Sequence, residues 1–286
     1  MKYLVTGASG QLGTLVIDAL LKTENPAEIA ALIRRPGAAG PLEAKGVTTR
    51  IAAYTEPDAL RKALAGVERL LLISSSEVGE RATQHTNVIE AAKAAGVPFI
   101  AYTSILNAKA SPLTILPGEH VATENALAAS GLHYAVLRNG WYTENYAMGA
   151  GSALQLGALY GAAGDGRISS AARKDYAEAA AALLKGDLPA SGTVYELAGD
   201  DSYTLGEFAA QISDIAGKEI PYVNLPEAEY ATALEQAGLP VPVARMLADS
   251  DAGAAKGGLH SSDNTLSRLI GHPTTPWQDT LRTAIA

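Results

Sequence analysis

The sequence of 286 residues contains no cysteine. This absence excludes disulfide bonds, catalysis by a thiolate, and iron–sulfur or zinc sites with thiolate ligands. The chain also lacks a long basic run and has a formal net charge of −8, so neither a nucleic acid nor an anionic membrane surface is expected as a partner. No apolar run reaches the length of a membrane span.

A signal-peptide pattern is also lacking, because Lys2 leads directly into a short apolar segment and a glycine turn; we therefore predict a cytoplasmic protein. None of the five histidines is spaced with another histidine or a carboxylate in a recognised metal-binding motif, so no metal site is predicted. His120 lies beside Glu119 and Glu124, which favours an ion pair on a helix surface over a proton relay.

The first thirteen residues, MKYLVTGASGQLG, form the most informative pattern in the chain. The apolar residues 3–5 end at a loop with Gly7, Gly10 and Gly13, and apolar residues then recur at helical spacing. A strand, a glycine loop and a helix in this order bind the pyrophosphate of a dinucleotide, because the backbone approaches closely and the helix N-terminus supplies N–H groups. The alternative is a strand-to-helix turn without a ligand, since this glycine spacing differs from Gly-x-Gly-x-x-Gly.

The first half of the chain alternates apolar strands with helical patterns, which predicts an α/β fold with a doubly wound parallel sheet of the Rossmann type. After residue 138 the sequence becomes rich in glycine, alanine and tyrosine. We therefore predict a Rossmann domain over residues 1–138, rejoined by about residues 175–198. Residues 139–286 should form mainly a smaller, C-terminal substrate-binding lobe. The predicted strands lie at residues 29–33, 47–51, 70–73, 99–103, 134–137 and 194–197.

Two arginines, Arg34 and Arg35, follow the second predicted strand directly. An acid at this place binds the ribose 2′-hydroxyl of NAD, whereas an arginine accommodates the 2′-phosphate of NADP. The planar guanidinium suits phosphate oxygens. We therefore predict that Arg34 binds the 2′-phosphate of NADPH and that residues 1–138 are an NADP-binding domain; the alternative is a solvated surface charge.

Polar residues also follow later predicted strands at their carboxyl ends, where open α/β sheets bind ligands. The serines 74–76 suit the ribose of the cofactor, although serine also favours turns and helix caps. Tyr102 and Thr103 end the next strand and are expected near the nicotinamide. The aromatic and amide side chains of residues 139–146 suit a flat acceptor beside the nicotinamide, although these aromatics could equally pack the lobe.

The predicted site therefore has a cofactor group and a substrate-pocket group, with no catalytic residue assigned. No Tyr-x-x-x-Lys pair occurs, since Leu106 stands four residues after Tyr102. Short-chain dehydrogenases use that pair to protonate a carbonyl, so its absence disfavours alcohols and ketones and leaves a quinone acceptor open.

The cofactor group is Thr6, Gly7, Gly10, Gln11, Leu12, Gly13, Arg34, Ser74, Ser75, Ser76, Thr103, Asn139, Gly140 and Trp141, and the pocket group is Tyr102, Tyr142, Asn145 and Tyr146.

Long segments of the chain resemble the NmrA-like branch of the atypical short-chain dehydrogenases. They are TGASGQLG (6–13), LLLISSSEVG (70–79), AAKAAGV (91–97), FIAYTS (99–104), LRNGWYTENY (137–146), GAAGDGRISSAARKDYAEAAA (161–181), VYELAGD (194–200), LADSDAGAAKGGL (247–259) and LIGHPTT (269–275). The resemblance implies NADPH bound across the glycine loop, Arg34, the serine run and the Asn139 segment. It also implies two-electron reduction of a small quinone to its hydroquinone, and it leaves a homodimer open.

Two other functions are compatible with these residues. Some NmrA-like proteins bind dinucleotides as non-catalytic redox sensors or regulators, and the chain could also reduce another acceptor, such as a dye or an azo compound. The missing tyrosine–lysine pair suits both an enzyme and a sensor, whereas the aromatic and amide cluster favours the enzyme. In the enzyme, orientation and proximity would be the main contribution of the protein, with protons supplied by water or a pocket residue.

Overall fold

The computed structural model describes residues 1–286, which form two units. The first comprises Met1–Ile105, Glu119–Arg138 and Arg173–Tyr195, and the second comprises Leu106–Gly118, Asn139–Ala172 and Glu196–Ala286. One unit boundary therefore follows residue 138, and the chain re-enters the first unit at residue 173. Residues 106–118, which were predicted to belong to the Rossmann domain, lie in the second unit.

A seven-stranded sheet organises the first unit, apart from the final residues of two strands that belong to the second unit. Its strands are β1 (Tyr3–Val5), β2 (Ile29–Ile33), β3 (Thr48–Ile51), β4 (Arg69–Leu72), β5 (Phe99–Ile105), β6 (His133–Asn139) and β8 (Thr193–Leu197). The strand order is β3-β2-β1-β4-β5-β6-β8, and the pairs from β3 through β5 are parallel. The chain crosses from one side of β1 to the other after β3, so the prediction of a doubly wound Rossmann sheet is confirmed.

The central strands are apolar because helices cover both faces of a parallel sheet. Strands β1 and β5 are buried along their whole length, and Tyr3 pairs with Ile29 on one side and with Arg69 on the other. The helices that lie wholly or mostly in this unit are α1 (Gln11–Leu21), α2 (Gly40–Glu43), α3 (Pro57–Leu64), α4 (Arg81–Ala94), α5 (Leu116–Ser130) and α8 (Arg173–Lys185). This arrangement brings the carboxyl ends of β1, β2, β4 and β5 to one edge.

The second unit contains a short parallel pair of strands, β7 (Leu159–Gly161) and β9 (Tyr222–Asn224). A stack of buried aromatic rings, Tyr203, Phe208 and Trp277, lies in its core. No helix of the protein combines the length and the hydropathy that crossing a membrane requires. The helices of this unit are α6 (Thr143–Ala147), α7 (Ala150–Leu156), α9 (Leu205–Ala216), α10 (Glu227–Gln236), α11 (Val241–Ala254), α12 (Thr265–Ile270) and α13 (Trp277–Ile285).

Candidate functional site

The glycine loop after β1 forms a tight turn that only glycine can occupy at two positions. Gly7 has a φ of +58°, and a Cβ on Gly13 would lie 2.3 Å from the Gly7 carbonyl oxygen. The Gly10 N–H donates to that same oxygen at 2.9 Å, which closes the turn. Gln11, Leu12 and Gly13 then form the first turn of α1, and no side chain caps this helix. The N–H groups of this first turn therefore receive no acceptor from a capping side chain. The oxygens of a dinucleotide pyrophosphate are acceptors that fit this position.

Thr6 locks the base of this loop to the neighbouring strand. Its Oγ1 accepts the Ile73 N–H at 2.9 Å, and its own N–H donates to the Leu71 carbonyl at 3.0 Å. The Tyr54 hydroxyl lies 2.5 Å from Thr6 Oγ1 and 3.1 Å from the Ile73 carbonyl oxygen, and burial raises the pKa of this tyrosine. Tyr54 was not predicted as a site residue, because nothing in its local sequence indicates a contact with a loop nearly fifty residues away.

The serine segment, residues 73–80 between β4 and α4, is held by buried side chains. The Ser74 N–H donates to Thr103 Oγ1 at 2.9 Å, and the Ser75 N–H donates to Nε2 of His85 at 2.9 Å. Nε of Arg81 donates to the Ser75 carbonyl oxygen. Both polar groups of the Ser75 backbone are thereby fixed, which sets the direction of its side chain. The structure thus joins the predicted residues Ser74, Ser75 and Thr103, whereas the neighbouring Ser76 is exposed.

The hydrogen bonds of His85 define its protonation state. Nε2 accepts the Ser75 N–H, so Nδ1 carries the proton and donates to Thr123 Oγ1 at 2.9 Å. The Thr123 hydroxyl donates in turn to the Glu119 carbonyl oxygen at 2.9 Å. Burial, together with the positive charge of Arg81, lowers the pKa of His85 to about 4. The imidazole is therefore neutral at neutral pH and remains an acceptor for the serine segment.

Helix α5 presents a buried polar face to the edge of the sheet. His120 bonds to the Tyr102 hydroxyl at 2.7 Å, and Glu124 accepts from Ser104 at 2.7 Å and from Nη2 of Arg138 at 2.6 Å. Burial lowers the pKa of His120 to about 3. The prediction that His120 forms an ion pair on a helix surface is therefore wrong. Tyr102 is completely buried against it, a placement that does not support its predicted role in lining a substrate pocket.

Arg34 lies directly after β2, where a dinucleotide presents its adenosine ribose, and it forms an ion pair with Glu77 of the serine segment. The two side chains are 60% and 44% exposed, so an incoming ligand can reach both. The other oxygen of Glu77 accepts from Nε2 of Gln84 at 2.7 Å. That hydrogen bond, with a smaller contribution from Arg34, lowers the pKa of Glu77.

In the second unit, Asn139 ends β6 with a buried side chain. Its Oδ1 has no hydrogen-bond partner, although its backbone oxygen accepts the Leu106 N–H at 2.9 Å. A buried carbonyl oxygen without a donor is costly, so this atom fits a ligand with an amide or hydroxyl donor. Gly140 is tied to Leu197 by a 2.7 Å backbone hydrogen bond, and Trp141 is buried.

The predicted pocket residue Tyr146 is anchored by a buried acid. Its hydroxyl donates to Oδ1 of Asp251 at 2.8 Å, and the Ala162 N–H donates to Oδ2 at 2.9 Å. Burial raises the pKa of Asp251 to about 6. The ring of Tyr146 lies 6.4 Å from that of Trp141, measured between centroids, while Tyr142 and Asn145 are partly exposed.

The predicted site residues thus divide between the two units. The first unit holds Thr6, Gly7, Gly10, Gln11, Leu12, Gly13, Arg34, Ser74, Ser75, Ser76, Tyr102 and Thr103, and the second holds Asn139, Gly140, Trp141, Tyr142, Asn145 and Tyr146. Their contacts with ligand stay predictions. The residues that sequence reasoning missed are Tyr54, Glu77, Arg81, His85 and Asp251.

The chain is similar to known proteins over most of its length. A family model described as NAD(P)H-binding matches residues 7–187. Quinone oxidoreductase 2 of Escherichia coli is 56% identical over 271 residues, which are 95% of this chain and 94% of that protein. The crystal structure of the NADPH-dependent quinone oxidoreductase of Escherichia coli with NADPH superposes with a TM-score of 0.96, at 54% identity over 99% of this chain and 100% of that one. The triphenylmethane reductase of a Citrobacter species, complexed with NADP(H), gives 0.94 at 35% identity, over 99% and 100% of the two chains.

Proposed function

This chain belongs to the NAD(P)H-binding family, and we propose from that premise that it is an NADPH-dependent oxidoreductase that reduces quinones to hydroquinones. The similarity to the quinone oxidoreductase of Escherichia coli along nearly the whole chain carries the proposal. The geometry of the first unit supports the choice of cofactor, because an uncapped helix follows a glycine loop and Arg34 follows β2.

The residues of the first unit supply a binding surface for the dinucleotide. The N–H groups at the start of α1 bind the pyrophosphate, and Arg34 binds the 2′-phosphate. The serine segment, fixed at Ser75, borders the ribose. When bound, NADPH supplies a hydride from C4 of its nicotinamide.

The buried polar face of α5 explains why a quinone suits this protein better than an alcohol or a ketone. Its four polar side chains are committed to contacts inside the protein: Glu119 accepts from the Gly79 N–H, and Thr123 bonds to His85. His120 and Glu124 bond to Tyr102 and Ser104 of β5. None is an exposed proton donor of the tyrosine–lysine kind. A quinone that has accepted a hydride gives a stabilised oxyanion, so it tolerates protonation by water. The protein then contributes orientation and proximity.

The acceptor pocket is proposed to include Tyr142, Asn145 and Tyr146. Asp251 holds the Tyr146 hydroxyl and thereby sets the position of its ring. An aromatic face next to amide groups suits a flat molecule with polar oxygens. The cytoplasmic location, the lack of a nucleic-acid partner and the homodimer stay predictions from the sequence.

A spectrophotometric assay tests the function. Consumption of NADPH is followed with a panel of benzoquinones and naphthoquinones, and radical formation is followed by electron paramagnetic resonance. We expect one NADPH to be consumed for each hydroquinone formed, with no semiquinone signal. Tight NADPH binding without turnover of any acceptor would refute the enzyme and favour a sensor. A triphenylmethane dye and an azo dye belong in the same panel, because faster turnover of either would replace the quinone as substrate.

A further inference from the structure

The edge of the sheet carries two opposite charges where the 2′ position of a bound dinucleotide is expected. Arg34 offers the guanidinium that suits a 2′-phosphate, and Glu77 offers the carboxylate that suits a ribose 2′-hydroxyl. The two side chains are paired with each other. The acid comes from the segment after β4 rather than from the end of β2, which is why the sequence around Arg34 does not reveal it.

Glu77 is held in place more firmly than an ordinary surface acid. Its second oxygen accepts from Gln84, which is only 5% exposed and lies in α4. The Glu77 N–H donates to Ser75 Oγ at 3.2 Å. Ser75 is itself fixed by the buried His85 and by Arg81. The carboxylate therefore keeps its place beside Arg34 without the full entropic cost that weakens most exposed ion pairs.

The charge of this acid opposes a phosphate. Gln84 and Arg34 lower the pKa of Glu77, so the side chain is an anion at neutral pH. A 2′-phosphate must approach Arg34 past this anion and must share the guanidinium with it. A ribose 2′-hydroxyl meets no such repulsion and can donate to the carboxylate.

We propose that Glu77 sets the discrimination between NADP and NAD, because it competes with the 2′-phosphate for Arg34 and accepts a hydrogen bond from the 2′-hydroxyl of NAD. The inference rests on the proposed dinucleotide site. The preference of the native protein for NADPH over NADH is accordingly smaller than Arg34 alone would give.

Isothermal titration calorimetry of the Glu77→Gln variant with NADP⁺ and NAD⁺ tests this inference without any acceptor. Glutamine keeps an oxygen for Gln84 and removes the charge. Because exposed pairs contribute up to about 1 kcal/mol, we expect NADP⁺ to bind about fivefold more tightly. NAD⁺ should bind to the variant as well as to the native protein or more weakly. The dissociation constant of NAD⁺ divided by that of NADP⁺ therefore increases. An unchanged ratio, or an equal loss for both cofactors, would overturn the inference.

Two further variants separate local competition from a general effect of charge. Glu80→Gln removes the same charge from an exposed neighbour in the same segment, and it should leave the ratio unchanged; an equal increase would overturn the local competition. In an Arg34→Gln background the tightening caused by Glu77→Gln should shrink, whereas the same gain in both backgrounds contradicts competition for Arg34. If Glu77→Gln fails to fold, Glu77→Asp retracts the carboxylate by one methylene and should shift the ratio in the same direction; an unshifted ratio there refutes the proposal.

Failure of this inference differs from failure of the proposed function. A protein that binds NADP⁺ but reduces no quinone refutes the function and leaves the binding ratios to decide the role of Glu77. If the protein reduces quinones but the ratio of the NAD⁺ and NADP⁺ dissociation constants does not respond to substitution of Glu77, the proposed function stands and the role of Glu77 in cofactor discrimination is refuted.

Discussion

Replacing Asp251 by asparagine should change how the stability of the protein depends on pH. Asp251 is 2% exposed, and only the Tyr146 hydroxyl and the Ala162 N–H donate to its oxygens. These two donors do not offset the loss of water, so burial raises the pKa of this carboxyl from its ordinary 3.8 to about 6. Asparagine is nearly isosteric and cannot ionise.

The sign and the size follow from proton linkage. A folded-state pKa above the unfolded value means that the folded state binds the proton more tightly. The contribution of Asp251 to stability is then fully present below pH 3.8 and is lost as the pH rises through about 6. A shift of about 2 units corresponds to about 3 kcal/mol, so the native acid should destabilise the folded state by that amount at alkaline pH relative to acid pH.

Urea unfolding, followed by circular dichroism and by tryptophan fluorescence, measures this effect at about pH 4, 6 and 8. The quantity compared is the free energy of unfolding of Asp251→Asn minus that of the native protein. This difference should shift in favour of the variant by about 2 kcal/mol between pH 4 and pH 8, because part of the contribution is already lost at pH 4. Asp201→Asn, which removes a charge from an exposed site in the same unit, corrects for net charge. A difference that stays constant with pH would refute the reasoning.

Two more predictions concern the cofactor loops. Gly13→Ala places a methyl group 2.3 Å from the Gly7 carbonyl oxygen, so the turn must open; thermal melting should show a loss of about 1–3 kcal/mol, and NADP⁺ titration a loss of affinity of at least about tenfold. Unchanged NADP⁺ affinity would contradict the tight turn. His85→Phe leaves the Ser75 N–H without its acceptor and should lower the free energy of unfolding by about 2 kcal/mol, together with NADP⁺ affinity. His85→Gln, which retains an acceptor, should recover part of both, and equal behaviour of the two variants would argue against the hydrogen bond.

Local sequence was sufficient for the sheet and the glycine loop. The strand at residues 29–33 was predicted with its observed bounds, and the other predicted strands agree within two residues at either end, whereas β7 and β9 were not predicted. Buried parallel strands are short apolar runs, so their position is visible without knowledge of their neighbours. The requirement for glycine at Gly7 and Gly13 is also local, because both residues belong to one turn.

Long-range polar contacts were not visible in the sequence. Asp251 meets its two donors across 105 and 89 residues of chain, and Glu77 meets Arg34 across 43. His120 was misplaced for the same reason. A polar residue in a helix normally faces water, and only the fold shows that this one faces the Tyr102 hydroxyl. Burial of a polar group depends on partners that the linear pattern does not identify.

The inward polar face of α5 limits which chemistry the fold can acquire. Four polar side chains of α5 connect this helix to the serine segment, to α4 and to β5: Glu119, Thr123, His120 and Glu124. Introducing a proton donor at this helix would remove contacts that order the serine segment. A substitution that allowed carbonyl reduction would therefore also disorder the cofactor site, because the same few side chains serve both. A protein designer would have to rebuild the helix rather than substitute one residue.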